Sequence, residues 1–153
     1  MTLYYLDSSA VVKAYVPEAG SAWVRSLLAT EVIVASAIMM AEVATALRRR
    51  AQEREFSFHQ GSQLYRQFLR DVRTFEIVDV SADILASAAA DALKPDTVPL
   101  RALDAVHLAA ARESFIIFRR SLSERCVVVT ADQRLLTAAR AAGLETENPE
   151  DHP

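Results

Sequence analysis

At 153 residues, 52% of them hydrophobic and 24% charged, with three glycines and five prolines, the chain has the size and composition of one domain around one substantial core, which argues against disorder. No run approaches about 18 uninterrupted apolar residues, no basic-then-apolar leader opens the chain, and Cys126 is the only cysteine. We therefore expect a cytoplasmic protein with no membrane span and no intrachain disulfide. The net charge of −3 does not by itself suggest nucleic acid, yet fifteen of the seventeen basic residues are arginine. Several gather in LRRRAQER (47–54) and YRQFLRDVR (65–73), where planar phosphate contact competes with a plain solvated helix face.

In chain order, LYYL (3–6) reads as a short buried strand, and Ser8 or Ser9 starts a helix that runs to Val16 and stops at Pro17. SAWVRSLLA (21–29) is a helix and VIVAS (32–36) a β-branched strand. A long helix is expected from Met39 to about Glu53 and another from Phe58 to Val72, despite Gly61. TFEIVDV (74–80) reads as strand, and Ser81 caps the helix ADILASAAADAL. KPDTVPLRAL is a loop into a strong helix over about Arg101 to Phe118. CVVVT (126–130) is the last expected strand, and ADQRLLTAARAAG a helix closed by Gly143. The tail ENPEDHP is expected to fray. Short apolar strands alternating with helices predict an α/β fold with a parallel sheet covered on both faces, its ligands beyond the strands' carboxyl ends.

Among twenty acids, four sit at a strand's carboxyl end or on an otherwise apolar helix face. Asp7 follows LYYL directly, and Glu42 lies in SAIMMAEVATAL just after VIVAS. Asp104 interrupts the apolar helix LRALDAVHLAAA, and Asp132 follows CVVVT by one residue. Each has a bland alternative: Asp7 and Asp132 as helix caps, Glu42 as an early-turn acid, Asp104 as a buried neutral acid or a partner of Arg101. A shared cleft explains all four at once. Clustered carboxylates repel, a divalent cation relieves the repulsion, and an all-oxygen set suits Mg²⁺ or Mn²⁺ rather than zinc. Such ions activate water and stabilise charge on phosphoryl oxygens, which points to phosphodiester hydrolysis. Four carboxylates committed to metal would also turn the net charge from −3 to +1.

Smaller candidates keep two readings each. Ser9 orients Asp7 or caps the helix; Thr130 supports Asp132 or simply ends a strand. Lys13, one turn beyond Ser9, reaches the cleft or is solvated. His107 shares the face of Asp104 and meets phosphate, or is hydrogen-bonded within the packing. Trp23 and the two adjacent tyrosines read as core, and FIIFRR (115–120) as core or a protein-contact surface.

Together, LDSSAVVKAYVPE, SAIMMAEVATALRRR, LRALDAVHLAAA and VVVTADQRLLTAARAAGL resemble PIN-domain proteins of the VapC toxin type, over nearly the whole chain. The resemblance implies a three-layer α/β/α sandwich with a central parallel sheet, occupying residues 1–147, with 148–153 as a flexible tail. It matches the family's metal-binding acids to Asp7, Glu42, Asp104 and Asp132, its site serine to Ser9 and its threonine to Thr130. It further implies an endoribonuclease dependent on Mg²⁺ or Mn²⁺ that cleaves tRNA or rRNA. Its partners would be a second copy in a homodimer and a VapB-type antitoxin, with DNA engaged only through that antitoxin. Arg48 and Arg49 are candidates to position the RNA backbone. The segment between Asp104 and Asp132, with SFIIFRRSLSER, is longer than in short members and could alter the groove or a dimer surface.

Two further readings use the same residues. An RNA maturation or turnover nuclease would share the site, and a non-catalytic RNA-binding domain would share the fold. A haloacid-dehalogenase-like phosphatase is disfavoured, because Asp7 is followed by Ser8 and Ser9 where that class needs an acid two residues on.

Overall fold

The computed structural model describes residues 2–95, 97–121 and 123–152. Its centre is a five-stranded, all-parallel sheet of β1 (Thr2–Leu6), β2 (Val32–Ser36), β3 (Glu76–Val78), β4 (Arg125–Val129) and β5 (Glu145–Glu147), in the order β3-β2-β1-β4-β5. Among the described residues seven α-helices connect them: α1 (Ser8–Val11), α2 (Ser21–Thr30), α3 (Met39–Gln52), α4 (Phe58–Asp71), α5 (Ala82–Ala92), α6 (Ala102–Phe118) and α7 (Gln133–Ala141).

The two-residue period of the strands divides the core. Leu6, Ile33, Ala35, Val127 and Val129 face α1 to α4, where they meet Val24, Met39, Val43, Leu47 and Phe68. Leu3, Tyr5, Val34 and Val128 face α5 to α7 and meet Ile84, Ala88, Val106, Ala109, Phe115 and Leu135. The result is the three-layer α/β/α sandwich expected from the alternating pattern. Chain order runs outward from β1 in both directions, so the switch point lies at the carboxyl ends of β1 and β4. There the Asp7 amide donates to the Val129 carbonyl at 3.2 Å.

The structure trims several sequence expectations. The helix after β1 is α-helical only over Ser8–Val11, then tightens into a 3₁₀ turn at Val12–Ala14. The third strand covers Glu76–Val78 rather than 74–80, because it pairs on one side only, with β2. Of the tail expected to fray (147–153), Glu147 closes β5 and Pro149–Asp151 form a 3₁₀ turn. That turn is held by packing no local pattern reveals. Gly20, with φ of 84°, lies so close to Pro149 that a Cβ there would stand 2.2 Å from the Pro149 carbonyl oxygen. His152 stacks on Trp23, with ring centroids 4.0 Å apart and planes 6° apart.

The segment between Asp104 and Asp132 includes the rest of α6 and its turn into β4, which lies at the amino ends of the strands, away from the switch point. It leaves Ile116 and Ile117 exposed while Phe115 is buried.

Candidate active site

Asp7 ends β1 and caps α1, its Oδ1 accepting the Ala10 amide at 3.0 Å. The cap reading of Asp7 is what this bond shows. Ser9 Oγ lies 2.8 and 3.0 Å from the two Asp7 oxygens, and Thr130 Oγ1 donates to Oδ2 at 2.8 Å. Ser9 also accepts the Ala131 amide at 2.9 Å, and Thr130 the Asp132 amide at 3.0 Å. Two hydroxyls therefore fix the carboxylate to the end of β4. Burial pushes the Asp7 carboxyl above its ordinary range, against the opposing pull of His107, Ser9, the Ala10 amide and Thr130.

Glu42 enters from the first turn of α3 and Asp104 from the first turn of α6. His107, one turn beyond Asp104, joins them. Its Nε2 donates to Glu42 Oε2 at 2.8 Å, and its Nδ1 hydrogen-bonds the Tyr5 hydroxyl at 2.8 Å. Burial alone would depress the imidazole's pKa; the Glu42 bond and the charges of Asp7, Glu42 and Asp104 outweigh it and raise the value. The Tyr5 phenol is pushed well above its ordinary value by burial and by the charges of Asp7 and Glu42. Beside it the Ser36 hydroxyl, fully buried at the end of β2, has no partner among the described residues.

Of the four acids selected from the sequence, Glu42 touches the imidazole, while Asp7 and Asp104 act on it through their charge. They do not meet at one point. The buried Asp104 accepts the Arg101 amide at 3.0 Å and lies 3.9 Å from the Arg134 guanidinium. The partner expected of Arg101 is its backbone, not its side chain. Asp132 caps α7, accepting the Arg134 and Leu135 amides at 2.8 and 3.3 Å. Among the described residues, no three His, Cys, Asp or Glu groups are drawn together as a ready coordination sphere.

An open cleft of about 590 Å³ adjoins this cluster, lined by Ser9, Lys13, Glu18, Glu42, Arg49, Arg50 and Glu150. Arg49 is on the cleft, whereas Arg48 lies over the Phe58 ring at 5.7 Å, lining a separate groove between α3 and α4. Lys13 is buried, not solvated, and pairs with Glu150 and Glu18. Of the two readings of His107, the structure shows the buried, hydrogen-bonded one, and Tyr5 lies in the core as expected but also bonds that ring. The spacing of His107 from Asp104 was the available signal; nothing local marks Tyr5.

The parallel sheet wound outward from β1, with helices on both faces, defines an α/β protein of the doubly wound kind. The chain belongs to the PIN-domain family, whose model matches residues 4–141. No curated protein matches the sequence closely enough to report. Among solved structures, the fold is shared with VapC20 of Mycobacterium tuberculosis, a sarcin–ricin loop cleaving toxin. That match has a TM-score of 0.66 and 18% identity, covering 98% of this chain and 99% of the other. FitAcB from Neisseria gonorrhoeae matches with a TM-score of 0.65 and 20% identity over 95% and 97%. VapBC2 from Rickettsia felis, bound to a DNA fragment from its promoter, matches with 0.62 and 17% over 96% and 98%.

Proposed function

We propose that this protein is an endoribonuclease dependent on Mg²⁺ or Mn²⁺, acting as the toxin of a VapBC-type pair on tRNA or rRNA. The observation that supports the reading is the Glu42–His107 hydrogen bond at the switch point, with the charges of Asp7 and Asp104 acting on the same imidazole, beside an open cleft. Three carboxylates acting on one imidazole are an excess of negative charge, and their hard oxygens fit Mg²⁺ or Mn²⁺. Asp7, Glu42 and Asp104 would hold the main ion, and Asp132 would complete the site or hold a second. When bound, such an ion activates water and stabilises charge on phosphoryl oxygens.

The chain's own groups do the rest. Ser9 and Thr130 keep the Asp7 carboxylate in one orientation, and His107 holds Glu42 at the cleft edge. Arg49, exposed on the cleft wall, would position backbone phosphate. The proposed partners are an antitoxin of the VapB type, through which DNA would be engaged, and a second copy of the chain. The sarcin–ricin loop cleaving toxin and the complex on promoter DNA are what the similar structures contribute to this reading. Among the described residues no helix is long and apolar enough to cross a membrane.

The test is cleavage of total cellular RNA by antitoxin-free protein with either ion, the cut ends mapped by sequencing. Discrete cuts, absent with EDTA and in Asp104→Asn, are expected. No cutting by folded wild-type protein with either ion would move the reading to an RNA-binding domain.

A further inference from the structure

We infer that Lys13 is a phosphate-binding residue of the cleft, held by Glu150 until an RNA backbone phosphate takes the carboxylate's place; the inference rests on the ribonuclease reading. Lys13 sits on the 3₁₀ turn that follows α1, one turn beyond Ser9, which hydrogen-bonds Asp7. Its side chain is 3% exposed and still lines the cleft with Ser9, Glu42 and Arg49. The ammonium donates to Glu150 Oε1 at 3.1 Å and lies 3.7 Å from Glu18 Oε1. Glu18 is already committed, since Arg50 Nη2 donates to both its oxygens at 2.9 and 3.0 Å. Glu150 is therefore the counter-ion that belongs to Lys13, and its side chain is 51% exposed.

A purely structural clip is the competing account. The C-terminal turn is already fastened elsewhere, by Pro149 against Gly20, by the Asn148 cap and by His152 on Trp23. The Lys13–Glu150 pair holds a compact three-donor cation at the cleft wall with an exposed anion that another anion can replace. Lys13, Arg49 and Arg50 line the cleft together with Glu18, Glu42 and Glu150, so a phosphate reaches Lys13 only by displacing the carboxylate paired with it. Arg50 is tied to Glu18 and Glu55 together. Lys13 is the cation whose release frees one carboxylate only.

The experiment is binding of a labelled hairpin RNA to full-length protein in EDTA, across a range of KCl concentrations, with folding checked by circular dichroism. Glu150→Gln should tighten binding. Lys13→Met should weaken it and flatten the slope of log affinity against log salt by about 0.7–0.9, the signature of one lost phosphate contact. In the Lys13→Met background, Glu150→Gln should no longer tighten binding. An unchanged slope in Lys13→Met, or equal tightening by Glu150→Gln in both backgrounds, would overturn the inference while leaving the nuclease reading intact. If Lys13→Met does not fold, Glu150→Gln decides alone: weaker or unchanged binding overturns the inference. Failure of the wild type both to bind and to cut RNA would remove the nuclease reading, and this inference with it.

Discussion

His107 and Glu42 meet at 2.8 Å although they belong to opposite helical layers, one on α6 and the other on α3. Their contact passes over the carboxyl edge of the sheet, where Tyr5 supports the imidazole from β1. One buried ring thus joins both helical layers to the central strand.

Tyr5→Phe tests that support. The variant keeps the ring's volume and leaves the buried His107 Nδ1 without its partner, a loss of about 1–3 kcal/mol. Urea denaturation should show this drop with an unchanged m value. A change smaller than about 0.5 kcal/mol would mean the hydroxyl contributes nothing to the edge.

Ser9 and Thr130 share the task of holding Asp7, and their own oxygens lie 3.3 Å apart. Ser9→Ala and Thr130→Val should each cost about 1–3 kcal/mol of stability. Because the two hydroxyls serve one carboxylate, the double variant should depart from additivity by at least about 0.5 kcal/mol. Strict additivity would show two independent hydrogen bonds rather than one cradle.

Gly20 and Trp23 report on the C-terminal turn. Gly20→Ala places a methyl against Pro149 and strains a positive φ, for which about 1–3 kcal/mol is the cost of the backbone strain alone. Trp23 is the only tryptophan and carries the stacked His152. Its emission should change in Gly20→Ala and in His152→Ala alike. Unchanged spectra in both would place the turn elsewhere in solution.

Asp91 sets an acid limit to stability. Burial would raise its pKa, but hydrogen bonds and charge from Lys94 and Arg112 outweigh that and leave the carboxyl below its ordinary 3.8. A depressed folded value means the contribution is fully present above the unfolded value and is lost as pH falls through the folded one. Wild type should therefore lose stability below about pH 4 more steeply than Asp91→Asn, which is less stable at neutral pH. Parallel curves from pH 6 to pH 2 would deny Asp91 this role.

Much of this was legible in the sequence because local chemistry carried it. Asp7 and Asp132 stand where apolar strands stop, and Asp104 interrupts the apolar first turns of its helix; Asp7 and Asp104 are buried and Asp132 half-buried. The cap at Ser81 was equally readable. The Tyr5–His107 bond was not, because its partners lie 102 residues apart and a strand tyrosine looks like core from its neighbours. The turn at Pro149 escaped for the same reason: its stability lies in Gly20 and Trp23, far along the chain. The fate of Lys13 was hidden too, since burial of a lysine depends on where Glu150 returns.

The account's central claim is that Asp7, Glu42 and Asp104 act together on one divalent cation, and Mn²⁺ titration calorimetry on the purified, antitoxin-free chain tests it most directly. Saturable binding by wild type is expected, strongly weakened in each of Asp7→Asn, Glu42→Gln and Asp104→Asn while circular dichroism shows them folded. Absence of binding by wild type, or binding retained in all three variants, would contradict the claim.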